Sequence, residues 1–91
     1  MDKKFKVSKE ISWQSYNCID TTFMFNEKEN RFYFVSDSAR VITDLILKGT
    51  DLMLIGQLCR NIFNAENEEI EAAIETCVKL LIQEGIICDE K

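Results

Sequence analysis

Four cysteines and a group of glutamates are the side chains of this sequence with the best chemistry to offer. Cys18, Cys59, Cys77 and Cys88 could form a zinc site, a disulfide framework or a thiol nucleophile. No two of them lie within four residues of each other, and the chain has no histidine. Structural zinc sites use closely spaced cysteine and histidine pairs, so this spacing predicts no metal site.

A catalytic role is disfavoured by the same composition. A cysteine nucleophile would lack its usual histidine base, and Glu68 and Glu71 stand where a helix begins, so the helix dipole accounts for them. We expect buried, reduced thiols that behave as small hydrophobic side chains, in a reducing cytoplasm. The sequence therefore predicts a protein that is not an enzyme and needs neither metal nor cofactor.

Composition limits the class of protein and its partners. The 91 residues, of which 46% are hydrophobic and 30% charged, predict one globular domain that spans residues 1–91. The net charge of −5 disfavours a polyanion as partner. Charged residues interrupt the N-terminus, and the longest aliphatic run, residues 52–55, is far below the ~20 residues of a membrane span. We expect a cytoplasmic protein with no membrane partner.

The first 35 residues alternate in the manner of strands. Phe5, Val7, Ile11 and Trp13 share one parity and predict a half-buried strand over residues 5–13, with Lys9 the exception. Residues 18–25 predict a second strand, with Ile19, Phe23 and Phe25 on one parity, and residues 31–35 predict a third. The polar residues 26–30 between them have the length of a hairpin loop.

The period changes to that of helices at Ser36. Three helices are predicted: one that ends at Gly49, one over residues 52–63 capped by Thr50 or Asp51, and one from Asn67 to Gly85. Ile86 and Ile87 should then close over the core. The fold class is therefore α+β, with three N-terminal strands followed by three helices.

This order of elements resembles the PqqD-like family, peptide chaperones and recognition elements of ribosomally made, post-translationally modified peptides. The centre of the family is an apolar strand, a helix cap, a small residue, a short amphipathic helix and a glycine. Residues 32–49 resemble it and read Phe-Tyr-Phe-Val-Ser-Asp-Ser-Ala-Arg-Val-Ile-Thr-Asp-Leu-Ile-Leu-Lys-Gly. Its closing helix resembles the pattern of Leu81, Gly85, Ile86 and Ile87. Ser36 stands where relatives often have asparagine, and it can cap equally well.

The resemblance implies a winged-helix-turn-helix-like fold that binds the leader segment of a precursor peptide and presents it to a modifying enzyme such as a radical enzyme, a protease or a cyclase. In relatives the leader adds as a strand beside the third strand, in a groove shared with the third helix, which agrees with the physics of an edge strand. The expected peptide-binding residues are Arg31, Phe32, Tyr33, Phe34, Val35, Glu71, Glu75, Val78 and Ile82.

Two features leave alternatives open at this stage. The third strand is apolar on both faces, so a ligand, the third helix or a second copy of the chain should cover its second face. The third helix has an apolar arc of about 200°, with Val78 and Ile82 on one edge and Ala73 and Leu80 on the other. Either edge could form part of a groove. The pattern does not indicate which parity of the strand faces a ligand.

Two other functions fit the same elements. A winged-helix regulator would bind DNA through its third helix, but five glutamates against the single Lys79 would repel the phosphates, so no nucleic-acid partner is expected. A structural or dimerising interaction module without leader binding is the stronger alternative. Binding of a leader peptide by the isolated chain distinguishes it from the peptide chaperone.

Overall fold

The structure is a computed structural model, and it describes residues 4–89. Five strands and three helices follow one another as β1 (Phe5–Val7), β2 (Ile11–Tyr16), β3 (Thr21–Asn26), β4 (Arg31–Ser36), α1 (Asp37–Leu47), α2 (Leu52–Ile62), α3 (Asn67–Gln83) and β5 (Ile87–Asp89). A single 3₁₀ turn, Asn17–Ile19, joins β2 to β3. The α+β class is thus confirmed, in a winged-helix-like arrangement in which all strands but the short β5 precede the helices.

The expected first strand is in fact two. A turn around Lys9, the residue that broke the alternation, separates β1 from β2. β1 pairs with β5 in a small antiparallel sheet, in which Phe5 stands opposite Asp89 and Val7 opposite Ile87. The C-terminal residues therefore close the core by forming a strand with the N-terminus, and Ile86 and Ile87 are buried.

The three-stranded sheet has the order β2-β3-β4, and its second strand differs from the expected one. Cys18 and Ile19 lie in the exposed 3₁₀ turn rather than in β3. Thr22, Met24 and Asn26 face the core, and Phe23 and Phe25 lie on the opposite, outer face. The aromatic parity of this strand is therefore not its core parity.

The helix ends agree with the sequence signals except at the starts of α1 and α3. Ser36 precedes α1 as expected, but its side chain makes no cap hydrogen bond. The Asp51 carboxylate accepts the N–H of Met53 over 2.7 Å and caps α2. Gly49 and Gly85 have φ of +80° and +73°, which lets the chain leave α1 and α3 at little steric cost. The cap of α3 is Glu66 rather than Asn67: its N–H donates to the Glu69 carboxylate over 3.4 Å, one half of a capping box.

The core lies between the inner face of the sheet and the three helices. Its fully enclosed members come from every layer and are Met24, Ile46, Ile55, Cys59 and Ile86, each at most 1% exposed. Because α1 follows β4 without a loop, the helix layer is tied directly to the last strand of the sheet. Asp37 makes this junction with a left-handed φ of +58°.

A polar cluster fixes α1 against the β2–β3 hairpin. The Asp44 carboxylate accepts hydrogen bonds from Thr22 (2.5 Å) and Ser15 (2.8 Å). The side chain of Arg40, only 12% exposed, lies 3.5 Å from the same carboxylate and 2.8 Å from that of Asp20. Such a satisfied network holds the sheet at a fixed angle to the helices and so positions β4.

Candidate functional site

The open side of β4 is the first feature with the geometry of a binding site. In the part of the chain that the structure describes, β4 pairs with β3 alone, so its other side forms an edge of the sheet. Edge strands present unpaired N–H and C=O groups that another extended chain can satisfy. The identity of those groups follows from the pairing of the strands.

The β2–β3 pair fixes the direction of the backbone groups across the sheet. The Glu27 N–H donates to the Glu10 carbonyl over 2.9 Å, next to the register that pairs Ile11 with Asn26. Antiparallel residues alternate between hydrogen-bonded and non-hydrogen-bonded pairs. Glu10 and Glu27 are thus a hydrogen-bonded pair, and every second pair after them along the hairpin is one too. The odd-numbered residues of β3 therefore bond to β2, and the even-numbered residues direct their N–H and C=O groups to β4.

The register of β3 with β4 then assigns the open edge. Met24, an even-numbered residue of β3, stands opposite Tyr33, and Phe23 stands opposite Phe34. Tyr33 is consequently bonded to β3, whereas its neighbours Phe32 and Phe34 direct their N–H and C=O groups away from the sheet. The residues of β4 whose backbone groups face the open edge, a parity that the sequence did not indicate, are therefore the two phenylalanines.

The side chains of the same two residues are open to solvent on the outer face of the sheet. Phe32 is 72% and Phe34 70% exposed, the highest values among the large hydrophobic residues. The ring centroids of Phe32 and Phe25 are 4.8 Å apart, and those of Phe34 and Phe23 are 6.3 Å apart. Each exposed ring is thus covered by an aromatic neighbour on the β3 side only.

The inner side of β4 is tied to the end of α3. The Tyr33 hydroxyl donates to the Glu84 carboxylate over 2.9 Å, and Arg31 lies 3.7 Å from the same oxygen. This hydrogen bond, followed by burial, raises the pKa of Tyr33 above its ordinary value of 10.0. Val35 continues the inner face and packs on the core.

The structure separates the expected site residues into two places. Arg31 to Val35 form β4, but Glu71, Glu75 and Val78 line a groove between α2 and α3. Ile82 lies one turn after Val78 on that same side of the helix and is 47% exposed. The strand and these helix residues therefore do not line one groove, and the role of either set in peptide binding stays a prediction.

The other edge of the α3 arc is the one near β4. Leu80 precedes Glu84 by one turn, so the two side chains share a face of the helix. Leu80 is 54% exposed although it is apolar. Ala73 and Leu80, the alternative edge in the sequence, are therefore better placed to flank β4 than Val78 and Ile82.

The α2–α3 groove is a distinct concavity of about 530 Å³. Ile70, Ile74 and Val78 are its apolar α3 residues, and Gly56 of α2 stands on the opposite wall. Apart from its chain neighbours and the backbone of α2, no residue has an atom within 4 Å of the position that a Cβ at Gly56 would take. The groove is therefore open at its middle, on the side of α3 that faces away from β4.

The cysteines do not form a site among residues 4–89. All four are free, and no three His, Cys, Asp or Glu side chains of this range are grouped to hold a metal. Cys59 is buried and Cys77 half-buried, and burial raises the pKa of both thiols. Cys18 and Cys88 are exposed, so the expectation of four buried thiols is wrong for these two.

No helix within residues 4–89 is long and apolar enough to cross a membrane. No protein-family model matches the sequence. No curated protein matches it either.

Two solved structures share the fold. TbiB1 in complex with the TbiA(beta) leader peptide superposes with a TM-score of 0.81 at 11% identity, over 90% of this chain and 93% of that one. A lasso peptide synthetase B1 complexed with the leader peptide superposes with a TM-score of 0.81 at 19% identity, over 93% of this chain and 98% of that one. At these identities the agreement is one of fold, and it extends over nearly the whole of each chain.

Two parts of the site were missed by sequence analysis. The first is the uncharged, aromatic outer face of the sheet. Predicting it requires placing Thr22, Met24 and Asn26 in the core, but these residues are less hydrophobic than the phenylalanines that alternate with them in β3. Glu84 gave no signal, because its role depends on the distance between the end of α3 and Tyr33 in the folded chain.

Proposed function

We propose that this protein is a non-catalytic peptide-binding domain that holds the leader segment of a ribosomally made precursor and presents it to a modifying enzyme. The leader adds as a strand to the open edge of β4. The observation that carries the proposal is the pair of outward-directed backbone units at Phe32 and Phe34, on an edge strand that no described element covers. The shared fold with two proteins solved with leader peptides supports it.

Strand addition explains affinity without a defined ligand sequence. Each outward residue offers one N–H and one C=O, and each hydrogen bond to a partner strand is worth a net ~0.5–1.5 kcal/mol. A leader strand bonded to both residues gains a small number of such bonds, and pockets for its alternate side chains supply the rest. The backbone recognises extended conformation, and the flanking side chains recognise sequence.

The inner flank of the added strand would lie against β4 and the end of α3. Tyr33 and Glu84, joined by their hydrogen bond, and the exposed Leu80 are the residues available there. The proposed site leaves out Glu71, Glu75 and Val78, because they line the α2–α3 groove. The proposed peptide contacts are therefore residues 31–35 together with Leu80 and Glu84.

Presentation requires a partner, because the proposal gives this domain a binding role and leaves the modification of the precursor to another protein. Within residues 4–89 no cluster of metal-ligating side chains is present, and the most acidic helix carries its glutamates at a helix start and on an exposed face. A radical enzyme, a protease or a cyclase is the class of partner that would act on a bound leader's attached core segment. The domain would raise the local concentration of the precursor at that enzyme.

The direct test is a titration with a labelled leader. The probes are fluorescein-labelled synthetic peptides that carry the N-terminal segments of the short open reading frames neighbouring this gene, and the one that binds serves as the labelled leader. Fluorescence anisotropy should show saturable binding with a Kd below about 10 µM, and a scrambled peptide of the same composition should not bind. Equal binding of the two peptides, or no binding of either, would overturn the proposal.

The exposed phenylalanines also favour a second candidate, a dimerising module that binds no leader. Sedimentation velocity without peptide would show a dimer at micromolar concentration in that case. A monomer that binds the leader excludes it.

A further inference from the structure

The outer face of the sheet is uncharged at every strand position. The nine residues whose side chains lie on this face are Ser12, Gln14, Tyr16, Thr21, Phe23, Phe25, Phe32, Phe34 and Ser36. Covering such a face removes no charged group from water, so the largest part of the usual desolvation penalty, that of burying a charge, does not arise. The face is thus suited to burial although it is exposed.

The β4 side of this face is where cover is missing. The Phe32 and Phe34 rings touch the β3 rings on one side and are more than two thirds exposed, at 72% and 70%. A strand added to β4 would lie about 4.8 Å from it, with every second side chain on this same face. Residues of that strand opposite Phe32 and Phe34 would therefore complete the row of side chains.

We propose that the bound peptide presents apolar, preferably aromatic or β-branched, side chains at two positions spaced i and i+2, which pack on Phe32 and Phe34. The outer face thereby selects the peptide's sequence, in addition to the backbone pairing at the edge. This inference rests on the proposed function, since it assumes that the peptide docks as a strand on β4. Cross-strand aromatic and β-branched pairs are the arrangement that stabilises neighbouring strands.

A second copy of the chain fits this face less well than a peptide strand. Three strands of six residues cover a footprint of roughly 300 Å², whereas a stable interface buries about 800 Å² on each partner. A peptide strand also uses the outward N–H and C=O groups of the same two residues, which a face-to-face dimer leaves unpaired. The edge and the exposed rings are continuous, so one occupant satisfies both.

The test compares three forms of the protein with the labelled leader peptide described above. In the first variant Phe32 and Phe34 are both replaced by threonine, which keeps the strand propensity and the backbone donors. In the control Tyr16→Thr removes an exposed aromatic residue from the same face, at the β2 edge. The double variant should bind at least tenfold more weakly while it still unfolds cooperatively, with a midpoint lowered by no more than about 10 °C through the loss of its two ring pairs with β3, and the control should bind as the parent does.

A serine scan of the peptide separates direct packing from an indirect effect. Two peptide positions, spaced i and i+2, should lose affinity when changed to serine on the parent protein, and should lose much less on the double variant. If no form binds the leader, the proposed function itself fails. If the leader binds but the double variant matches the parent, or the losses add without coupling, the inference is overturned while strand addition stands. A change from dimer to monomer in the double variant, with peptide affinity unchanged, would assign the face to self-association and overturn it equally.

Discussion

Proline at successive positions of β4 tests the assignment of the open edge, because proline removes one backbone donor at a chosen position. At Phe34 the lost N–H is the one directed away from the sheet, and prolines on such edges are tolerated. At Tyr33 the lost N–H belongs to the ladder with β3, opposite Met24. The two variants should therefore have opposite effects on folding and on binding.

The magnitudes follow from the bonds involved. Proline at Phe34 leaves the β3–β4 ladder intact, so we expect the thermal midpoint to fall by no more than about 5 °C. The proline ring occupies the approach of the peptide carbonyl, so the bond at Phe34 and a neighbouring one are lost, and affinity falls at least tenfold, about 1.4 kcal/mol. Proline at Tyr33 breaks a ladder bond in the middle of a two-strand pair and should lower the midpoint by about 10 °C or more.

The control for the lost side chain is alanine at the same position. Phe34→Ala removes the ring and keeps the N–H, so the ratio of the proline and alanine dissociation constants isolates the backbone contribution. Circular dichroism melting and peptide anisotropy measure the two properties on the same samples. If Phe34→Pro binds as well as Phe34→Ala, the peptide does not pair with this edge. If Tyr33→Pro is the better folded of the two proline variants, the parity assigned here is wrong.

Three further predictions concern the surrounding structure. Asp44→Ala should lower the free energy of unfolding by about 2–4 kcal/mol in urea, because two hydroxyls and Arg40 lose their acceptor; a loss below about 1 kcal/mol would contradict this role. Glu84→Gln should lower the Tyr33 pKa in an ultraviolet absorbance titration. In the parent the pKa of Tyr33 is higher in the folded than in the unfolded chain. The stabilisation that the Tyr33–Glu84 hydrogen bond gives to the fold is therefore complete below pH 10.0 and is lost as the pH rises through the folded pKa. Cys59, which is fully buried, should react with a thiol reagent only on unfolding, after the two exposed thiols have reacted in the native state; four equal native rates would count against the packing described.

The helical half of the fold could be predicted because its signals are local. Glycines with positive φ and a carboxylate cap act within one turn of the helix that they end or begin, so Gly49, Gly85 and Asp51 mark their boundaries in the sequence itself. The pairing of β1 with β5 joins residues about 80 apart, and no local pattern carries that information. The first strand was consequently predicted as one element rather than two.

The outer face could not be predicted because this sheet reverses the usual rule of hydrophobicity. Thr22 and Asn26 are buried at 0% and 5%, where the Asp44 network and the hairpin loop satisfy them. Phe32 and Phe34, more hydrophobic than either, point outward. Parity assigned from apolar content alone therefore selects the wrong face of the hairpin, and only the position of the polar partners corrects it.

The composition of β4 gives a reason to regard its edge as a site for another chain. Proteins usually protect an open edge with lysine, proline, a bulge or a short strand. β4 is six residues long, pairs in continuous register without a bulge, and has one charged residue, Arg31, at its beginning. Arg31 lies 3.7 Å from Glu84, so its charge is directed towards α3 rather than along the edge. An unprotected edge flanked by exposed phenylalanines favours aggregation unless a specific strand covers it. The net charge of −5 lowers that hazard between copies of the chain through mutual repulsion and leaves the edge available to a peptide.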